Sequence, residues 1–114
     1  MRSTDICGLY AITPDSTDTS SLLTVTEQAL VGGATIVQYR NKIADDILRQ
    51  EQACLLAQLC RKYQVVFIIN DHIDVAIAVD ADGVHLGQGD GSIRDAREKL
   101  GDEKIIGVSC YNQL

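Results

Sequence analysis

The segment Val65-Val66-Phe67-Ile68-Ile69 constrains this chain more than any other. Five consecutive large apolar residues give a strand no polar side to turn toward water. Such a strand needs cover on both faces, as strands of parallel sheets have beneath their helices. Parallel neighbours cannot be joined by a tight turn, so every connection must be a crossover, usually a helix. The rest of the sequence follows that plan. Gly8 to Thr13 reads as a first strand closed by Pro14, and Leu22, Val25, Ala29 and Leu30 then recur at helical spacing. Ser and Thr residues offer N-caps to that helix, and Gly32-Gly33 ends it. Ala34 to Val37 reads as the second strand. Asp45 and Asp46 open a long helix at its positive end, with Arg61 and Lys62 in its last turn and Leu48, Leu55, Leu59 and Tyr63 as its buried face.

After the apolar strand come a short helix through Ile73, Val75, Ala76 and Val79, the turn Asp80 to Gly83, and the strand Val84-His85-Leu86. Ser92 and Asp95 form a capping-box pattern ahead of Leu100, and Gly101 stops that helix. Ile105 to Val108 reads as the last strand. Five strands alternating with four helices imply an α/β domain with right-handed crossovers. Periodicity leaves open a five-stranded doubly wound sheet and an arc of a barrel. For 114 residues the open sheet is the natural choice on length alone.

Composition excludes several classes. The formal net charge is −6 and the ten Lys and Arg residues are scattered, whereas nucleic-acid binding calls for a clustered basic face. No apolar run approaches the roughly 20 residues that span a bilayer, and the N-terminus lacks a signal-peptide layout, so the expected address is the cytoplasm. Cys7, Cys54, Cys60 and Cys110 form no Cys-x-x-Cys pair, which argues against zinc. Cys54 and Cys60 read as small buried apolar residues, and packing is also the favoured role for Cys110.

Sites in parallel α/β proteins form at the carboxyl ends of the strands. The residues that follow the five strands are Thr13 and Asp15; Gln38 to Lys42; Asn70, Asp71 and His72; Gln88 and Asp90; and Ser109, Cys110 and Tyr111. Two cations two residues apart, with carboxylates from two other loops, suit an anionic ligand held through Mg²⁺, which prefers carboxylate and phosphate oxygens. Each residue also has a plainer reading. Arg40 and Lys42 can be solvated loop charges, Asp71 a helix cap, Asp90 a turn residue and His85 a core histidine. Their joint placement favours a site.

Gln38-Tyr39-Arg40-Asn41-Lys42, Ile69-Asn70-Asp71, Gly83 to Asp90 and Gly107-Val108-Ser109 resemble, in order and spacing, successive signatures of the thiamine-phosphate synthase family. Leu9 to Thr13 is similar to that family's first strand. The resemblance implies that residues 1–114 form part of a parallel (β/α) TIM-type barrel, about five of its eight strands. It implies an enzyme that joins hydroxymethylpyrimidine diphosphate to hydroxyethylthiazole phosphate and releases pyrophosphate. Carried over by residue, Gln38, Tyr39, Arg40, Asn41, Lys42, Asn70 and Ser109 would contact the pyrimidine diphosphate, with Arg40 and Lys42 stabilising the leaving group. Asp71 and Asp90 would hold Mg²⁺. Asn41 departs from the acidic residue more usual in the family, with a small effect on loop geometry expected. A complete barrel needs eight units and about 200 residues or more, so strands six to eight and the thiazole phosphate site are expected to lie outside this stretch. An opened barrel exposes two sheet edges, which invites self-association. The alternatives are a thiazole tautomerase on the same barrel, without metal or diphosphate, and a non-catalytic fragment acting as a binding module. A flavodoxin-like sheet is disfavoured because no Gly-rich phosphate loop is present.

Overall fold

The computed structural model describes residues 9–87 and 90–108, with only the backbone of residues 9, 90–93 and 108. Among the described residues nine elements alternate without exception: β1 (Leu9–Ile12), α1 (Thr19–Val31), β2 (Ala34–Tyr39), α2 (Asp46–Tyr63), β3 (Val66–Asn70), α3 (Ile73–Ala78), β4 (Gly83–Leu86), α4 (Asp90–Leu100) and β5 (Ile105–Val108). All pairings are parallel, and the spatial order β1-β2-β3-β4-β5 is the sequence order. A doubly wound sheet reverses direction at a switch point. This one never does, so the open-sheet expectation gives way to an incomplete barrel.

Register assigns the faces, because paired residues of parallel neighbours share a side. Ala11, Val37, Tyr39, Phe67, Ile69, Val84 and Leu86 point toward the helices, where all but the partly covered Ala11 are buried in one apolar cluster. The opposite face carries Tyr10, Ile12, Ile36, Gln38, Ile68, Asn70, His85, Ile105 and Gly107. Ile68 at its centre is buried, whereas Tyr10, Ile12 and Ile105 on the outer strands are 45%, 54% and 48% exposed. A curled sheet gives this pattern, since its concave side shields the middle strand and leaves the rims open.

The helices form largely where the spacing predicts, with instructive shifts. The N-cap of α1 is Asp18, which accepts from the Ser21 N–H, rather than a Ser or Thr. Val25 is exposed, and Leu22, Thr26 and Leu30 make the inward stripe. Asp45 caps α2 through the Leu48 N–H at 2.8 Å, and Asp46 stands in its first turn. The face of α2 on the sheet is Gln52, Ala53, Leu56, Ala57 and Cys60. The expected row of Leu55, Leu59 and Tyr63 is only partly covered, and Tyr63 donates to Glu27 of α1 at 2.7 Å. Small residues bring a helix close to a sheet; the larger row serves the helix–helix margin. Helix α4 begins at Asp90, two residues before the expected capping box, so Ser92 is inside the helix. Gly101 does end it, at φ 86°.

The two described cysteines differ. Cys54 is exposed, contrary to expectation, while Cys60 is buried and its thiol is pushed up to about 12, by desolvation first and the Asp82 carboxylate second. At pH 8 iodoacetamide should therefore label Cys54 in the folded protein and spare Cys60 until denaturant is added, as peptide mapping would show. Gly83 has no room for a side chain: a Cβ there would lie 2.1 Å from the Ile105 carbonyl oxygen of β5. Backbone cannot yield as a side chain can, so Gly83→Ala should cost about 3 kcal/mol or more by denaturant titration. An effect below about 1 kcal/mol would mean that β4 and β5 have freedom to separate.

Candidate functional site

The carboxyl ends of β2 and β3 carry a cleft of ≈ 220 Å³ lined by Tyr39, Asn41, Lys42, Arg49, Asn70, Asp71 and His72. Five of these were expected from sequence to be site residues: Tyr39, Asn41, Lys42, Asn70 and Asp71. Gln38 stands on the concave face of β2, whereas Arg40, one residue past the strand end, is half-buried and does not line the cleft. The Gln38 amide is buried and donates to the Tyr10 hydroxyl at 2.7 Å. The side chain of Asp90 lies outside the described residues, as do Ser109 and Cys110 entirely; the backbone of Asp90 opens α4 beyond β4.

The β2–α2 loop is held by more than its own turn. Thr13 bridges both main-chain groups of Arg40: its Oγ1 accepts from the Arg40 N–H at 3.0 Å and donates to the Arg40 carbonyl at 3.3 Å. The Lys42 N–H donates to the Asp15 carboxylate at 2.9 Å. Tyr39 and Asn41 have their polar groups engaged within the protein. The Tyr39 hydroxyl donates to Gln52 Oε1 at 2.6 Å. Asn41 Nδ2 donates to the same oxygen at 2.8 Å and to the Ser16 carbonyl at 2.7 Å, and its Oδ1 accepts from the Ile43 N–H. Burial pushes the Tyr39 phenol up, against the opposing influence of Asn41 and the Arg49 charge. What Tyr39 and Asn41 have left to offer a ligand is position, while the Lys42 side chain remains exposed.

Asp71 has an unusual conformation. Its φ is 66°, and the His72 N–H bonds back to the Asn70 carbonyl at 2.9 Å, closing a three-residue turn around it. The positive-φ form of this turn is rare and strained. Two other non-glycine residues among those described have positive φ, Gln64 and Asp80, but both close helices, where left-handed backbone is common. Asp71 instead follows a strand, pinned to β4 by its N–H bond to the His85 carbonyl at 2.8 Å. The capping reading also falls, because the N-cap of α3 is His72, which makes no side-chain capping bond. The Asp71 carboxylate is exposed, accepting only a long 3.3 Å bond from Asn70 among the described residues. Strain held in this way concentrates at functional positions.

Two residues here escaped sequence reasoning. Arg49 lines the cleft while donating to Asp46 and to the Ala44 carbonyl, and its Nε is buried without a hydrogen-bond partner among the described residues. Gln52 is fully buried in α2. Neither follows a strand, the one positional signal that sequence offers. His85 is half-buried on the concave face beside Asn70, and not in the core beneath the helices. Gly107 leaves room for its ring, since a Cβ there would come within 3.0 Å of Nδ1. Among the described residues no three His, Cys, Asp or Glu side chains stand close enough to hold a metal, and no helix is long and apolar enough to cross a membrane.

Comparison with known proteins places these features in context. The family model described as thiamine monophosphate synthase matches residues 9–114. The chain is 60% identical over 110 residues to the thiamine-phosphate synthase of Nitrosospira multiformis, covering 96% of this chain and 47% of that protein. It is 57% identical over 109 residues to the thiamine-phosphate synthase of Methylobacillus flagellatus, covering 96% and 52%. Among solved structures it is similar to a thiamine phosphate pyrophosphorylase from Pyrococcus furiosus, with a TM-score of 0.76 and 42% identity over 90% of this chain and 50% of the other. The chain thus spans about half the length of these relatives.

Glycine at position 71 would remove the strain and should raise stability by up to about 1 kcal/mol in denaturant titration, even though it deletes a side chain. A loss of stability for Asp71→Gly would show that the carboxylate is holding the loop.

Proposed function

This chain belongs to the thiamine monophosphate synthase family, and on that premise we propose that it supplies the diphosphate-binding half of a thiamine-phosphate synthase. The substrates are hydroxymethylpyrimidine diphosphate and hydroxyethylthiazole phosphate. The observation that carries the reading is the meeting of Lys42, Asn70 and a strained, non-capping Asp71 in one cleft at the strand ends. An exposed ammonium, an amide and a carboxylate are the groups a magnesium diphosphate would engage.

Asp71 alone makes a poor metal site, and no third carboxylate, imidazole or thiolate joins it among the described residues. That poverty suits Mg²⁺, which commonly binds one or two protein carboxylates and takes its remaining oxygens from water and substrate phosphate. Asp71 and Asp90, at the ends of neighbouring strands β3 and β4, are the proposed ligands. When bound, the ion would neutralise charge that collects on the departing pyrophosphate.

The chain's own residues then have little proton chemistry to perform. Breaking the bond between the pyrimidine methylene carbon and the diphosphate oxygen sends the electron pair out with pyrophosphate. The electron-rich aminopyrimidine ring stabilises the cation left behind, and the thiazole nitrogen lone pair closes the new carbon–nitrogen bond. Arg40 offers a planar fork and Lys42 a point charge to the leaving oxygens, while Asn70 fixes orientation. The thiazole phosphate is met by elements outside these 114 residues.

The test is calorimetric titration of hydroxymethylpyrimidine diphosphate into the full-length protein with and without Mg²⁺. Binding should require Mg²⁺, vanish in Asp71→Ala and Asp90→Ala, and weaken by about tenfold or more in Arg40→Ala and Lys42→Ala. Affinity indifferent to the metal and to both aspartates would overturn the proposal.

A further inference from the structure

Gln52 is a fully buried amide in the middle of a helix, with all its polar capacity used. Its Oε1 accepts from the Tyr39 hydroxyl at 2.6 Å and from Asn41 Nδ2 at 2.8 Å. Its Nε2 donates to the Ser16 carbonyl at 3.1 Å and to Thr19 Oγ1 at 3.2 Å. Those four partners belong to the last residue of β2, the β2–α2 loop, the β1–α1 loop and the first residue of α1. One side chain therefore ties the loop that carries Arg40 and Lys42 to the β1–α1 loop beside it.

The loop has few other restraints. The bonds from Arg40 and Lys42 to Thr13 and Asp15 end on the β1–α1 loop, which is held to β2 at its start by the Thr13 N–H bond to the Gln38 carbonyl, so they fix the beginning of the segment more firmly than its continuation through Lys42. Arg49 and the Asp45 cap tie the far end of the β2–α2 loop to α2, but among the described residues Gln52 is the α2 side chain that bonds to both loops at once, and α2 packs on the sheet. An apolar side chain of the same size would fill the space but leave the Tyr39 hydroxyl and the Asn41 amide buried without their shared acceptor.

We infer that Gln52 is a positioning residue: it sets the height and orientation of the Arg40–Lys42 segment through Tyr39, Asn41 and Ser16, and so tunes affinity for a diphosphate it does not touch. The second half of this statement rests on the function proposed above; the first does not.

Two readouts on the full-length protein separate them. Site-resolved hydrogen exchange reports the Arg40, Lys42 and Ile43 amides, all of which donate to the loop bonds described. Pyrophosphate with Mg²⁺ serves as the binding probe, with Arg40→Ala as its control. Gln52→Leu should speed exchange at these amides about tenfold relative to Ile69 in β3, and weaken pyrophosphate binding about tenfold. Gln52→Glu keeps the acceptor toward Tyr39 and Asn41 and should fall between wild type and Gln52→Leu; it decides the matter if Gln52→Leu does not fold. Leu56→Ala, fully buried one turn along the same helix and absent from the loop's bonds, should lower the melting temperature yet leave loop exchange and pyrophosphate affinity unchanged.

Loop exchange unchanged in the Gln52 variants, or accelerated equally by Leu56→Ala, would overturn the inference. Faster exchange with no change in pyrophosphate affinity would keep Gln52 as a loop anchor and refute its link to binding. If Arg40→Ala binds pyrophosphate as wild type does, the proposed function loses its leaving-group cation while the exchange result still stands.

Discussion

Uninterrupted parallel pairing is the constraint from which the rest of this structure follows. Each strand must wait for a crossover helix before its partner arrives. Parallel crossovers are right-handed as a rule, so an order that never reverses gathers the helices on one side of the sheet. That arrangement produces two unlike faces. One is a dense apolar layer of Val37, Phe67, Ile69, Val84 and Leu86 beneath the helices. The other is a concave wall of mixed character, on which Gln38, Asn70 and His85 stand beside Ile68. The same geometry brings every β–α loop to one end, where the chemistry-bearing residues collect.

The plan of alternating elements was legible because period and punctuation agreed: an apolar run with no polar side, acidic residues at helix starts, glycine at helix ends. The order of the strands was not legible from periodicity, which is blind to what lies on the far side of a sheet. Local faces failed for a related reason. Leu55 and Leu59 are more hydrophobic than Ala53 and Ala57, yet the alanines face the sheet because backbone proximity rewards small side chains. Hydrophobicity ranks residues by their wish to leave water and is silent about how close two backbones must come.

For the site, the strand-end rule found Lys42, Asn70 and Asp71, since topology dictates where those positions go. It did not find Gln52 or Arg49, because a buried amide on a helix has no distinctive spacing and acquires meaning only from its four partners. Nor did it anticipate the backbone of Asp71. Sequence offered a cap there, an ordinary use of aspartate, whereas the chain places it at the centre of a turn in which an L-residue is uncomfortable. The division of labour is plain in the loop after β2: Tyr39 and Asn41 face inward to hold the structure, and Lys42 stands outside to meet solvent.

The unbroken neighbour-to-neighbour order also bears on how the molecule comes into being. Strands pair with their sequence neighbours and each helix packs on adjacent helices and strands, so the principal contacts join units consecutive in the chain. As the chain leaves the ribosome, β1, α1 and β2 can associate before β3 exists, and each later unit adds to a surface already in place. Among these five strands, assembly of this kind needs no distant segment to return, which keeps chain-closure entropy low at each addition and leaves the one long-range pairing of a barrel to its closure. A fold wound in one direction can thus be built in one direction.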